Sequence, residues 1–354
     1  MSGIVRLSLA SDPRIAQLSK CMTAFASLEP ALEAARSAPA RPGAAVAAVA
    51  ASVPETVVSS AEIGARFGVG EDWIERRTGI RARHIASDGE RVDTHATEAA
   101  RLALGRAGID PVDVDLVIVA TATSDELMPG TAPLVAHGLG ATAAGAFDVG
   151  SACTGFLSAL AVGAAQVEAG RSRCAVVVGA DFMSRVTDPL DRGTAAVFAD
   201  GAGAAVLVGA ARGRIGPVVL GADGAGAGHI TVARADQTIR MRGHETFREA
   251  VARLTLCTHQ AVRAAGMSLD DVDLFVYHQA NGRILSAVGD RLGVQAERVA
   301  DCIAQYGNTG AATLPLALAE SERAGRLAPG DTVLLGAFGA GFTWGAAVVE
   351  WGRQ

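Results

Sequence analysis

Three residues of this chain have the types and surroundings that nucleophilic acyl chemistry needs: Cys153 in D-V-G-S-A-C-T-G, His278 in H-Q-A-N and Asn308 in G-N-T-G. A thiol attacks a thioester and holds the acyl group, while an imidazole and a carboxamide brought beside it stabilise a carbanion through its oxygen. That combination is carbon–carbon bond chemistry.

The residues after Cys153, T-G-F-L-S-A-L-A-V-G-A-A-Q-V-E-A-G, are apolar, almost uncharged and end at Gly170, which predicts a buried helix with a glycine stop. Cys153 is therefore expected at or near a helix N-terminus, where unpaired N–H groups and the positive dipole end favour thiolate over thiol. A lone cysteine is more often a small buried filler. An internal repeat overturns that default. Ala107–Thr123 (A-G-I-D-P-V-D-V-D-L-V-I-V-A-T-A-T) aligns with Ala265–Asn281 (A-G-M-S-L-D-D-V-D-L-F-V-Y-H-Q-A-N) at an offset of 158 residues. The offset carries Cys153 onto Ala311, at the start of a second apolar helix, A-A-T-L-P-L-A-L-A. V-V-V-G-A-D from Val176 is matched to V-L-L-G-A-F from Val333, and G-A-A-V-L-V from Gly203 to G-A-A-V-V-E from Gly345. A period this long means two fused half-domains and not a solenoid.

Each half reads as helix, acidic turn, apolar strand, helix, strand and closing hairpin. Continuous apolar runs such as L-V-I-V-A and A-V-V-V-G predict strands buried on both faces, hence sheets with helices on both sides. If the halves pack through their central helices, the start of the Cys153 helix faces the loops of the other half that carry His278 and Asn308. Ligands commonly bind outside the carboxyl ends of such strands. The expected organisation is an N-terminal extension over residues 1–43, one half over 44–215 and a second over 216–354.

Further motifs give these residues a family likeness: W-I-E-R-R-T-G-I-R-A-R-H-I-A from Trp73, S-A-C-T-G-F at Cys153, D-P-L-D-R-G-T around Arg192, D-G-A-G-A-A-V-L from Asp200, H-Q-A-N-G-R-I from His278, Y-G-N-T-G-A-A-T-L-P-L-A-L from Tyr306 and A-F-G-A-G-F-T-W-G from Ala337. In this order, over roughly residues 44 to 352, the chain resembles the β-ketoacyl-acyl-carrier-protein (ACP) synthase III family of thiolase-fold condensing enzymes. The resemblance implies an α/β protein whose duplicated halves form a five-layered αβαβα core. It implies a homodimer that condenses an acyl-CoA primer with malonyl-ACP and needs no cofactor or metal.

Carried over, the resemblance makes Cys153 the nucleophile, and His278 and Asn308 the donors to the malonyl thioester oxygen as CO2 leaves. A neutral imidazole N–H and an amide N–H stabilise an oxyanion without being consumed. A second oxyanion hole falls on the backbone N–H groups of Cys153 and Ala340; Ala340 departs from the glycine common in the family but keeps the donor. Trp73, Arg77 and Arg192 match positions that stack on and pair with CoA, and indole with guanidinium suits a base and its phosphates. Met128, Met183 and Phe198, with the loop from Asp223 to Gly243, are expected to shape the acyl pocket, Met128 from across the dimer. Arg248 and Arg283 fall where relatives dock the acidic carrier, although Asp290 stands where relatives can have Lys.

Near relatives separate at the same positions. Elongating synthases use a second histidine where this chain has Asn308, and biosynthetic thiolases need a second cysteine that Gly336–Gly345 lacks. The alternatives are a condensing enzyme or acyltransferase of specialised, polyketide-type metabolism and, from another class, a silent dimer partner that binds acyl groups.

Composition agrees. Half of the 354 residues are apolar, enough for two sizeable half-domain cores, and a net charge of −6 speaks against nucleic acid as a partner. Five cysteines without a C-x-x-C or Cys/His metal spacing predict reduced thiols in the cytoplasm, with Cys21, Cys174, Cys257 and Cys302 as fillers. Apolar runs stop well short of the roughly 18 residues that suggest a membrane span, so no membrane insertion is expected.

Overall fold

The computed structural model describes residues 43–211 and 214–352. Apart from Gly43, the expected extension over 1–43 lies outside the described residues, as does Cys21. The first part of the chain runs β1 (Gly43–Ser52), β2 (Val57–Ser59), α1 (Ser60–Arg66), α2 (Glu71–Thr78), β3 (Ala82–His84), α3 (Val92–Ala107), β4 (Leu116–Ala120), α4 (Thr131–Leu139), β5 (Gly145–Val149), α5 (Gly155–Glu168), β6 (Cys174–Phe182), α6 (Arg192–Ala195) and β7 (Asp200–Ala210). The second part runs β8 (Val219–Ala222), β9 (Ile230–Val232), β10 (Ile239–Met241), α7 (Gly243–Ala264), β11 (Leu274–Tyr277), α8 (Gly282–Leu292), α9 (Ile303–Tyr306), α10 (Thr313–Arg323), β12 (Thr332–Gly339) and β13 (Thr343–Glu350).

Strand order exposes the duplication. The first sheet is β1-β7-β6-β4-β5 and the second is β8-β13-β12-β11, extended by a parallel bridge from Phe275 to Val299 at the place of β5. In both sheets the two central pairings are antiparallel then parallel: β7 with β6 and β6 with β4, β13 with β12 and β12 with β11. Register corrects one sequence match. Ile118 pairs with Val177 and Val276 with Leu335, so the 158-residue offset persists through β6 and β12. Val176 thus corresponds to Leu334 and not Val333, because the shared G-A step drew the sequence match one residue out of phase.

The layers follow from strand alternation. Ile118 and Ala120 point into a central core with Phe156, Leu157 and Leu160 of α5, Leu314 and Leu318 of α10, and Val276, Leu335 and Ala347 of the second sheet. Val117 and Val119 point the other way, onto Ala96, Ala99, Ala100 and Ala103 of α3. On the far side, Phe275, Leu334 and Val348 pack on Val251 and Leu254 of α7 and Leu285 and Val288 of α8. Helix, sheet, paired helices, sheet, helix is the five-layered arrangement expected from the sequence. Each buried leucine of the central pair contributes about 1.5–3 kcal/mol of transfer free energy, so α5 and α10 are fixed firmly against each other. Among the described residues, no helix is long and apolar enough to cross a membrane, and no group of side chains has the makings of a metal site.

Candidate active site

Cys153 lies in the 3₁₀ turn Ala152–Thr154, which runs directly into α5. Ala152 has φ 43°, a left-handed conformation unusual for a residue with a Cβ, so the chain turns sharply to present the thiol. The Thr154 hydroxyl sits 2.8 Å from both the Ser151 carbonyl oxygen and the Thr343 hydroxyl, tying this turn to β13. From the second half too, the end of β12 presses on the cysteine: a Cβ on Gly339 would lie 3.0 Å from the Cys153 Cβ and 3.1 Å from its N. Only a glycine lets that strand end approach so closely.

The thiol is half-buried, and burial, helped by the Asp181 carboxylate, pushes it up to about 12. Burial and the helix end therefore act on this thiol in opposite senses.

His278 follows β11, is 3% exposed, and has its Nδ1 2.5 Å from the hydroxyl of Thr313, the first residue of α10. Burial pushes the imidazole down to about 4, which keeps it neutral at pH 7. A hydroxyl donating to Nδ1 leaves the ring hydrogen on Nε2. Asn308 is held by its backbone, Ala199 N–H donating to its oxygen at 2.9 Å and its own N–H to Val197 O at 3.0 Å. Its side-chain Oδ1 accepts from Gly310 N–H at 3.0 Å, which leaves the carboxamide NH2 to donate.

Cys153, His278, Asn308 and Ala340 line one cavity of about 530 Å³, together with Met183, Phe198, Arg77 and Arg283. Its walls beyond Cys153 are apolar and include Ile230, Val232, Ile239 and Met241 from the β9–β10 hairpin. Trp73 is outside that lining. The Arg77 guanidinium stacks 4.1 Å, and that of Arg192 4.6 Å, from the centre of its ring. Arg283 donates to Arg76 O at 3.0 Å. Arg248 is exposed on α7 and does not line the cavity. Met128 is 86% exposed and does not line the cavity of its own chain, unlike Met183 and Phe198.

Sequence reasoning missed Asp181. This carboxylate, 1% exposed, ends the apolar strand β6 inside the same cavity. The signal was a lone charge closing V-V-V-G-A-D; its partners lie too far along the chain to be seen.

Comparison with known proteins places these observations. Residues 147–238 match the sequence model of 3-oxoacyl-[acyl-carrier-protein] synthase III, and residues 262–351 match that of its C-terminal region. The chain is 45% identical to β-ketoacyl-[acyl-carrier-protein] synthase III 2 of Streptomyces coelicolor over 314 residues, 88% of this chain and 94% of that protein. It is 43% identical to the β-ketoacyl-[acyl-carrier-protein] synthase III of Rhizorhabdus wittichii, covering 85% of this chain and 97% of the relative. The crystal structure of 3-oxoacyl-[acyl-carrier-protein] synthase III from Aquifex aeolicus superposes with a TM-score of 0.85 at 34% identity, over 87% of this chain and all of that one. The priming β-ketosynthase of the R1128 polyketide pathway gives 0.85 at 38% identity, over 90% and 99%.

Proposed function

Because this chain belongs to the β-ketoacyl-[acyl-carrier-protein] synthase III family and has its thiolase fold, we propose that it joins an acyl-CoA primer to malonyl-ACP by decarboxylative Claisen condensation, with Cys153, His278 and Asn308 as its catalytic set. The Cys153 sulfur bonds to the acyl carbonyl carbon, and the thiol proton departs with the CoA sulfur. Malonyl-ACP then loses CO2, and the electron pair of the broken bond becomes an enolate whose oxygen accepts from His278 Nε2–H and Asn308 Nδ2–H. The enolate carbon attacks the acyl-cysteine, the N–H groups of Cys153 and Ala340 hold the resulting oxyanion, and the Cys153 sulfur leaves and takes a proton from water, replacing the one that departed with CoA. These steps balance without a cofactor.

The observation that carries this reading is the convergence of Cys153 from one half with His278 and Asn308 from the other on a single apolar-walled cavity. The neutral state of His278 supports its role as a donor, since a preorganised neutral donor stabilises developing charge without giving up its proton. Trp73, Arg77 and Arg192 make a platform for the CoA nucleotide. A base entering beside the indole has to displace the guanidinium of Arg192 already stacked there. Arg283 at the cavity wall and Arg248 on α7 form the docking side for an acidic carrier. We assign the protein to a homodimer in the cytoplasm, with exposed Leu127 and Met128 and the edge strand β5 in the contact. In that arrangement Met128, with Met183 and Phe198, bounds the acyl group.

Intact-protein mass spectrometry tests the assignment: incubation with acyl-CoA should add one acyl mass, lost in Cys153→Ala. Asn308→Ala should keep acyl loading and lose decarboxylation by about 10²-fold, the usual cost of an oxyanion donor. Loading at another residue, or equal loss of both steps, overturns it. Likeness to the R1128 priming synthase favours a second reading, priming of a specialised pathway. The acyl-CoA that loads fastest in the same experiment separates the two.

A further inference from the structure

The mechanism leaves one buried ionisable group in the cavity unused. Asp181 Oδ1 accepts from Ala122 N–H at 2.7 Å and from the hydroxyls of Thr123 at 3.0 Å and Thr121 at 3.2 Å, all in the loop after β4. Its Oδ2 accepts from Ala311 N–H at 2.8 Å, across the junction between halves. Four donors converge on a carboxylate that has no cation at its side among the described residues, and they spread its charge. Contact with the second half is tight. Gly310 has φ 58°, and a Cβ there would sit 2.3 Å from Asp181 Oδ2, so this turn is shaped around the carboxylate.

The turn that Asp181 grips is the one that aims Asn308. Gly310 N–H holds Asn308 Oδ1, and the next amide, that of Ala311, is held by Asp181. We propose that Asp181 is a positioning residue for the decarboxylation step: by anchoring Ala311 it fixes Gly310 N–H, and thereby the rotation of the Asn308 carboxamide toward the substrate oxygen. Independent backbone bonds to residues 197 and 199 secure the main chain of Asn308. Loss of the anchor therefore turns the amide without moving the residue, which weakens transition-state stabilisation more than substrate binding.

The inference rests on the assignment of Asn308 made above, and its test keeps the two separate. Acyl loading of Cys153 and CO2 release from malonyl-ACP are measured for wild type, Asn308→Ala, Asp181→Asn and Thr123→Val. Asp181→Asn puts an amide group where an acceptor must face both Ala122 and Ala311. It should reduce kcat for CO2 release at least 10-fold with KM for malonyl-ACP within about 3-fold, while acyl loading should not fall, because loss of the Asp181 charge favours the Cys153 thiolate. Thr123→Val, a gentler loosening of the same carboxylate, should give a loss of about 3-fold confined to CO2 release, and decides the matter should Asp181→Asn fail to fold.

A pH profile supplies a readout that a merely structural role does not move. Burial raises Asp181 to about 6. The ionisable groups that share the cavity with it are Cys153, His278 and His244, with the guanidinium groups of Arg77 and Arg283, which stay charged throughout this range. Asp200 on neighbouring β7 is turned to Ala86 N–H and Ser184, and Asp125 beyond the β4 loop is paired with Arg185. CO2 release by the wild type should fall below pH 6 as the carboxylate protonates, and the Asp181→Asn profile should lack that limb. Equal loss of loading and CO2 release, or an unchanged acid limb, overturns the role of Asp181. An Asn308→Ala enzyme that still releases CO2 normally overturns the site assignment instead.

Discussion

At the scale of single residues, Asp181 and His278 titrate in opposite senses, with consequences for stability. Burial raises Asp181 to about 6, from an ordinary 3.8, so the stability present below about pH 4 is lost as pH rises to 6. Burial lowers His278 to about 4, so its contribution is present above about pH 6.5 and lost as pH falls to 4. Each shift is a little over two pH units, on the order of 3 kcal/mol, and in the native protein the two slopes largely cancel. Urea unfolding of wild type and Asp181→Asn between pH 4 and 6.5 should isolate the Asp181 slope in their difference, the variant gaining stability relative to wild type toward neutral pH. A wild-type-minus-variant difference that stays constant with pH refutes this balance. The sequence showed Cys153, His278 and Asn308 because each sits in a short run of unusual residues. Asp181 stayed hidden because its defining partner, Ala311, is 130 positions away. The setting of Cys153 was half legible for a related reason: a helix end is visible in sequence, but the apolar walls around it are not.

Secondary-structure elements place these groups by the distance to which their ends approach. Gly339, at the end of β12, is the floor on which Cys153 rests. Gly339→Ala puts a methyl group 3.0 Å from the cysteine Cβ, so either the strand end or the nucleophile must move by a few tenths of an ångström or more. A misplacement of about 1 Å can cost about 10²-fold in rate, and a smaller one correspondingly less. Rapid-quench acylation of Gly339→Ala should be slowed by at least 10-fold while its melting temperature stays within a few degrees of wild type. Unaltered loading means the floor is compliant. The elements themselves were legible. L-V-I-V-A reads as a strand buried on both faces because it is one, with Ile118 and Ala120 in the central core and Val117 and Val119 in an outer one. The β9–β10 hairpin, which walls the cavity, was read only as a loop from Asp223 to Gly243. Strands of three residues carry too little alternation to stand out.

For the molecule as a whole, the first sheet ends on β5, whose Phe147 and Asp148 are exposed in the single chain, and Leu127 and Met128 stand 82% and 86% exposed. In the proposed homodimer this pair of neighbouring apolar side chains is covered by the partner. Leu127→Asp should therefore halve the mass seen by light scattering and reduce condensation; a variant that remains dimeric and active removes this surface from the interface. Duplication was the feature of the whole chain most legible in sequence, and strand register now gives it a sharper meaning. The offset that lays Ile118 on Val276 also lays Cys153 on Ala311 and Asp181 on Gly339. Two contacts thus sit at equivalent places, Gly339 against Cys153 and Asp181 against Ala311. In one the partner is a bare glycine and the seat keeps its thiol; in the other the seat is blank and a carboxylate fills the space. The first half thus supplies both reagent and bracket, thiol and carboxylate, and the second half supplies the two bare partners, Gly339 and Ala311, that receive them.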